Sequence, residues 1–213
     1  VKRIVVALCA VALTLAACGS QTDERVSGSA TPEAASSEAA ASEATDPGEE
    51  IAESVAASTP YVTVDCVSGQ AMPTDEVPAQ GATVDGVTAY FQPNGAPAIA
   101  VATDAQPATE LGVADVVVGE GAEAQAGDTL TVDYCGVGLG SKTLFDSSYS
   151  RGTPATFPLD GVITGWQEGV PGMKVGGTRL LVIPGALAYG ANPPPGIGVD
   201  ETLIFTVTLQ SIG

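Results

Sequence analysis

The chain has 213 residues, no histidine, 7 basic residues against 25 acidic ones, and a formal net charge of -18. That balance argues against nucleic acid and against an electrostatic hold on an anionic membrane, because few cations are present to neutralise phosphates. Without histidine there is no Ser-His-Asp triad, no histidine general base and no Cys-His zinc site. Neither a GxxxxGK[ST] phosphate loop nor a GxGxxG turn occurs, so no cofactor and no metal is expected.

The first segment reads VKRIVVALCAVALTLAACGSQ. Lys2 and Arg3 form a short positive region, and Ile4 to Leu15 an apolar stretch too short for a comfortable membrane span. Leu15-Ala16-Ala17-Cys18 resembles the lipobox of bacterial lipoproteins. The resemblance implies a signal peptide over 1–17, lipid on Cys18, and an extracytoplasmic protein anchored to the cell membrane. The alternative is a plain secretory signal with an incidental cysteine. Cys9 would leave with the signal, so Cys66 and Cys135 remain, an even pair in an oxidising compartment. They are either bonded to each other or two buried thiols.

Residues 18–59 are rich in Ala, Ser, Thr and Glu and poor in large apolar side chains. Such a segment cannot bury enough surface to offset its ordering entropy. It reads as a disordered acidic linker with a reach of roughly 35 Å, or as a transient alanine-rich helix. The composition shifts at Pro60. "YVTVDCV" alternates and is β-branched, as a strand does. "ATVDGVTAYFQPNGAPAIAV" offers two more strands separated by the turn signal Gln92-Pro93-Asn94-Gly95. Residues 60–107 therefore read as an accessory β segment, too thin to fold alone and expected to dock on the carboxy-terminal half of the chain.

Residues 108–213 have the texture of a domain. In "TLTVDYCGV" Leu130, Val132 and Tyr134 take one face, and Thr131, Asp133 and Cys135 the other. A Cys66–Cys135 bond would then pin the upstream strands to the domain's outer side; the alternative is a loosely attached extension. "TRLLVIP" and "TLIFTVTLQSI" are two further strands, the second with Leu203, Phe205, Val207 and Leu209 on one side. One segment alone looks helical: "ITGWQEGVPGM" places Trp166, Val170 and Met173 at helical spacing, with Gly172, Gly176 and Gly177 to end it. The pattern is α+β, an antiparallel sheet with one short helix across it, preceded by extra strands and a linker.

The order of motifs from Leu111 to Gly213 resembles the FKBP-type peptidyl-prolyl cis-trans isomerases. The resemblance is carried by Tyr134, the Phe145-Asp146-Ser147-Ser148 loop, Val162-Ile163 with Trp166, and Tyr189-Gly190. It implies an FKBP-like twisted antiparallel sheet wrapped on one short helix, and cis-trans isomerisation of X-Pro bonds without metal or cofactor. It also implies proline-containing and unfolded exported polypeptides as substrates, macrolides as inhibitors, and a monomer. Carried over residue by residue, it places Trp166 on the floor of an apolar pocket. Tyr134, Phe145, Phe157, Val162, Ile163, Ile197 and Phe205 become its walls, and Asp146 and the Tyr189 hydroxyl its polar contacts. Arg151 becomes a partner for Asp146. Read without the resemblance, these aromatics are ordinary core residues.

This chain departs from the family pattern at Ala155, where an aromatic is common, at the short connection Asp160-Gly161, and in the run Pro193-Pro194-Pro195. Ala155 keeps open a second reading, an FKBP-like binding or chaperone module with little or no turnover. A third is a structural surface protein whose working part is residues 60–107. The proline run reads as a stiff flap whose ends, Tyr189 and Ile197, face the pocket.

Overall fold

The computed structural model describes residues 61–213. The signal-like segment, Cys18 and the acidic linker lie outside them. Eleven strands form two antiparallel sheets.

The first sheet comes from the upstream segment. Its strands are β1 (Tyr61–Asp65), β2 (Ala71–Thr74), β3 (Gly81–Val84), β4 (Val87–Phe91) and β5 (Pro97–Ala102), in the order β2-β1-β5-β4-β3. Where the sequence suggested two strands after residue 80 there are three. Asp85 and Gly86, at φ 49° and 76°, close a two-residue hairpin between β3 and β4. Asp-Gly is among the dipeptides that best tolerate such a turn, because both central residues need positive φ.

The second sheet runs β6-β10-β11-β7-β8, from β6 (Gly112–Val117), β7 (Thr129–Gly138), β8 (Leu144–Ser147), β10 (Thr178–Ile183) and β11 (Leu203–Ile212); β9 (Ala155–Pro158) pairs with β7. Two short helices accompany it. The first, α1 (Ser148–Arg151), was not expected from the sequence. The Ser147 hydroxyl accepts from the Ser150 N–H, and Gly152 closes the turn at φ 65°, the ordinary Ser and Gly punctuation of a helix. The second, α2 (Thr164–Gly169), is shorter than its apolar spacing suggested. Pro171 cannot donate the next helical hydrogen bond, so Met173 reaches the core from the following turn, its N–H on the Val170 carbonyl.

Both faces of the second sheet are buried. Leu130, Val132, Leu181, Ile183, Leu203, Phe205, Val207 and Leu209 form one core with Trp166 and Val170. Cys135, Val137, Leu180, Val182 and Ile204 form another with Val64, Cys66, Val87, Ala89, Ile99 and Val101 of the first sheet. The upstream strands thus cover the outer face of the second sheet, and a disulfide joins Cys66 to Cys135 across this core.

Helix α2 lies close on β10 because two of its residues lack side chains. A Cβ at Gly165 would stand 2.4 Å from Ile183 Cγ2, and one at Gly169 2.7 Å from Leu181 Cδ2. Ile183 is wholly buried and branched, so it has nowhere to move. Gly165→Ala is therefore expected to destabilise by about 1–3 kcal/mol, the usual cost of overpacking, despite alanine's better helix propensity. Denaturant unfolding checks this; unchanged or raised stability would contradict the packing argument.

Candidate active site

The pocket is built where β7, β8, β9, α2 and β11 converge. It is a cavity of about 460 Å³ lined by Tyr134, Phe145, Asp146, Phe157, Gly161, Val162, Ile163, Trp166, Tyr189 and Phe205. Trp166 forms the centre of the aromatic cluster. Its ring meets Tyr134 at 5.7 Å, Phe157 at 5.4 Å and Phe205 at 5.3 Å, all edge to face. Phe145 meets Phe205 at 5.5 Å in the same way. Edge-to-face contacts place ring hydrogens on neighbouring ring faces, which favours fixed orientations over a loosely packed cluster.

This packing depends on Gly136, which the sequence pattern did not single out. A Cβ there would stand 2.6 Å from Phe145 and 2.9 Å from Phe205. Glycine inside a strand pattern is the signal that marks such a close approach. Gly161 on the cavity rim was also missed; it belongs to the 3-10 turn Leu159–Gly161 that delivers Val162 and Ile163.

One edge of the cavity is polar. The Tyr134 hydroxyl donates to Asp146 Oδ2, and Arg151 Nη1 donates to Asp146 Oδ1. Arg151 Nη2 donates to the Tyr134 oxygen at 2.9 Å, with the guanidinium carbon 5.5 Å from the Tyr134 ring centre. Burial, and then the bond to the Asp146 carboxylate, raise the Tyr134 phenol above its ordinary value. The bond to Tyr134, with Asp146 beside it, keeps the Arg151 charge firmly in place. Among the described residues, the Ile163 N–H at the head of α2 has no backbone acceptor.

The other expected site residues divide between the cavity and its surroundings. Phe157 lines the cavity and Ala155, two residues earlier on β9, does not. Tyr189 lines it while keeping 40 % of its surface exposed. Ile197 does not line it. It packs on the core edge beside a neighbouring groove with Leu139, Gly140, Val199 and Thr202. The Ile197 N–H donates to the Pro194 carbonyl at 3.3 Å, closing a turn at this end of the flap. The flap presents one end to the cavity, not two.

A family model described as FKBP-type peptidyl-prolyl cis-trans isomerase matches residues 120–210. A probable FK506-binding protein of Corynebacterium glutamicum is 50 % identical over 109 residues, covering 49 % of this chain and 90 % of that protein. The chain belongs to this family. It is an FKBP-type peptidyl-prolyl cis-trans isomerase. An FK506-binding protein of Streptomyces anulatus is 46 % identical over 111 residues, covering 50 % of this chain and 90 % of that one. The isomerase FkpA of Escherichia coli is 46 % identical over 97 residues, which is 46 % of this chain and 36 % of FkpA. The family match begins after β6, so β1 to β6 of this isomerase lie outside it.

The isomerase flap is held at its root. The Asp200 N–H donates to the Gly190 carbonyl at 2.9 Å, and Glu201 accepts from the Gly198 N–H at 2.7 Å and the Ser141 N–H at 3.0 Å. Burial works to raise the Glu201 carboxyl, but these N–H donors outweigh it and hold the carboxyl below its ordinary value. A carboxyl lowered on folding adds stability above its unfolded value, about 4.3, and loses it as the pH falls through the lower folded value. Glu201→Gln is expected to melt earlier than wild type at neutral pH and to converge with it in acid. Melting curves at several pH values check this; a difference independent of pH would contradict the charge-based anchor.

Proposed function

We propose that the aromatic cavity is the isomerase site and that the protein works on exported polypeptides from a lipid anchor. The observation that carries the first part is the cavity's composition, six aromatic side chains and three apolar or small walls with one fixed polar edge. An X-Pro amide resists rotation by about 18–20 kcal/mol because resonance keeps it planar. Twisting removes that resonance and leaves the carbonyl oxygen less polar. A dry aromatic pocket therefore favours the twisted form over the planar one, which water solvates better. In this reading the Ile163 N–H and the Tyr189 hydroxyl orient the substrate backbone. Asp146 and Arg151 hold Tyr134 in line with Trp166 and Phe205. No proton is transferred and no nucleophile is required.

The test is a protease-coupled proline-peptide assay. Trp166→Leu is expected to lower kcat/KM by about tenfold or more, the size of 1.4 kcal/mol lost at the transition state. Tyr189→Phe is expected to lower it by about threefold to tenfold, the net worth of one hydrogen bond. Wild-type activity in both folded variants would sink the assignment. The pH profile adds a second check. With no histidine and Tyr134 held protonated, activity is expected to stay flat from about pH 6 to 9. It should fall only in alkali, where the site's neutral phenols are lost, Tyr134 late because its value is raised. A bell centred near neutrality would contradict this mechanism.

The anchor reading rests on Leu15-Ala16-Ala17-Cys18. The Cys66–Cys135 disulfide supports an oxidising compartment. In this reading residues 18–59 lift the isomerase off the membrane, and its clients are unfolded chains leaving the cell. Cys18→Ala is expected to move the protein from the membrane fraction to the soluble one. Wild type found soluble and without lipid by mass spectrometry would overturn the anchor.

A further inference from the structure

The polar edge of the cavity hangs on a frame whose anchor, Cys66 with the first sheet, lies outside the family match. Ser147 ends β8 directly opposite Cys135 and is buried. Its hydroxyl donates to the Cys66 carbonyl at 2.7 Å and accepts from the Ser150 N–H at 3.3 Å. One oxygen thus ties the first sheet to the start of α1. Asp146 precedes Ser147 in the chain, and Arg151 closes α1. The other half of the frame is Cys135, bonded to Cys66 and adjacent to Tyr134. The Tyr134 N–H donates to the Ser148 hydroxyl at 2.9 Å, which in turn donates to Asp133 Oδ1 at 2.8 Å.

A four-residue helix has no stability of its own. Its direction is set by its cap and by what the cap is fastened to. With the Cys66 carbonyl as acceptor, the Ser147 proton has one direction, and a lone pair stays turned toward Ser150. Without it the hydroxyl rotates freely, the cap weakens, and Arg151 loses the position from which it reaches both Asp146 and Tyr134. Small displacements at a reacting centre cost far more rate than stability.

We propose that Ser147 is a positioning residue for the isomerase site, and that through Ser147 and the Cys66–Cys135 bond the amino-terminal sheet is part of the catalytic apparatus. The proposal rests on the cavity being the site of isomerisation. It assigns β1 to β5 a role in turnover, beyond covering the outer face of the second sheet.

The test is a double-mutant cycle on the full chain, read by the proline-peptide assay. Ser147→Ala is expected to lower kcat/KM by about fivefold, the worth of one net hydrogen bond, chiefly in kcat, with Ser147→Thr recovering most of it. In the Arg151→Ala background the same substitution is expected to cost less than about twofold, because the residue it positions is already gone. Emission of Trp166, the single tryptophan, should shift in Ser147→Ala, since Tyr134 packs on its ring. Should Ser147→Ala fail to fold, Cys66→Ala/Cys135→Ala replaces it in the cycle, with the same non-additive result expected. Wild-type turnover in Ser147→Ala, or equal losses in the two backgrounds, would overturn the proposal. Wild-type turnover in Trp166→Leu and Tyr189→Phe would instead remove the cavity assignment, and this proposal with it.

Discussion

Strand β7 is buried on both faces, and the rest of the molecule depends on that constraint. Alternation sends Leu130, Val132 and Tyr134 into the core that holds Trp166, and Cys135 and Val137 into the core shared with the first sheet. A slip of one residue would exchange the two sets, so the register has no neighbouring alternative. Gly136 is the point where the consequences meet. It stands opposite Phe205 on β11 and Asp146 on β8. Having no side chain, it leaves the space that Phe145 and Phe205 fill. One strand thus sets the polar edge, the aromatic wall and the attachment of the upstream sheet.

Much of this was legible as pattern. The alternation in "TLTVDYCGV" and "TLIFTVTLQSI" sorts side chains onto the faces they occupy. The resemblance named nine residues that line the cavity. Less legible was what covers the outer face. Leu180 to Ile183 and Leu203 to Phe205 are apolar at every position, and such runs signal burial on both sides. They cannot say which segment supplies the second layer, because that is a matter of topology over a sequence separation of 69 residues between the two cysteines. Ile197 shows the other limit. Its type and its place near Tyr189 suggested a shared wall, but it lines the neighbouring groove instead, and no hydrophobic period records that. The Asp85-Gly86 hairpin, by contrast, was written plainly in its dipeptide, beside the more conspicuous proline-containing turn at Gln92 to Gly95.

The polar edge needs a different account from the aromatic wall. Both charged groups are substantially open to water, with 46 % of the Arg151 side chain and 43 % of the Asp146 side chain exposed. An ion pair so placed is worth little to stability. Its value is directional. The guanidinium spans Asp146 and the Tyr134 oxygen while lying over the Tyr134 ring, which lysine, with a point charge, could not do. The pair therefore works as a brace for a tyrosine that also packs on Trp166. On the proposal above, its anchorage through Ser147 would act on geometry more than on folding free energy.

The proline run completes this logic at the opposite rim. Pro194 and Pro195 are exposed and Pro193 half-buried, so they add little packing. Their effect is on the unfolded chain, whose freedom they reduce. The flap is closed at its root by the backbone bond between Asp200 and Gly190 and by Glu201. A flap stiff in itself and fixed at both ends cannot fold inward over a substrate. It holds Tyr189 at the mouth of the cavity, whose lining includes the aromatic walls and Tyr189 but not the far end of the flap. Relaxing the run to flexible residues would then widen the positions Tyr189 can take, while Ile197 would keep its packing on the core edge beside the neighbouring groove.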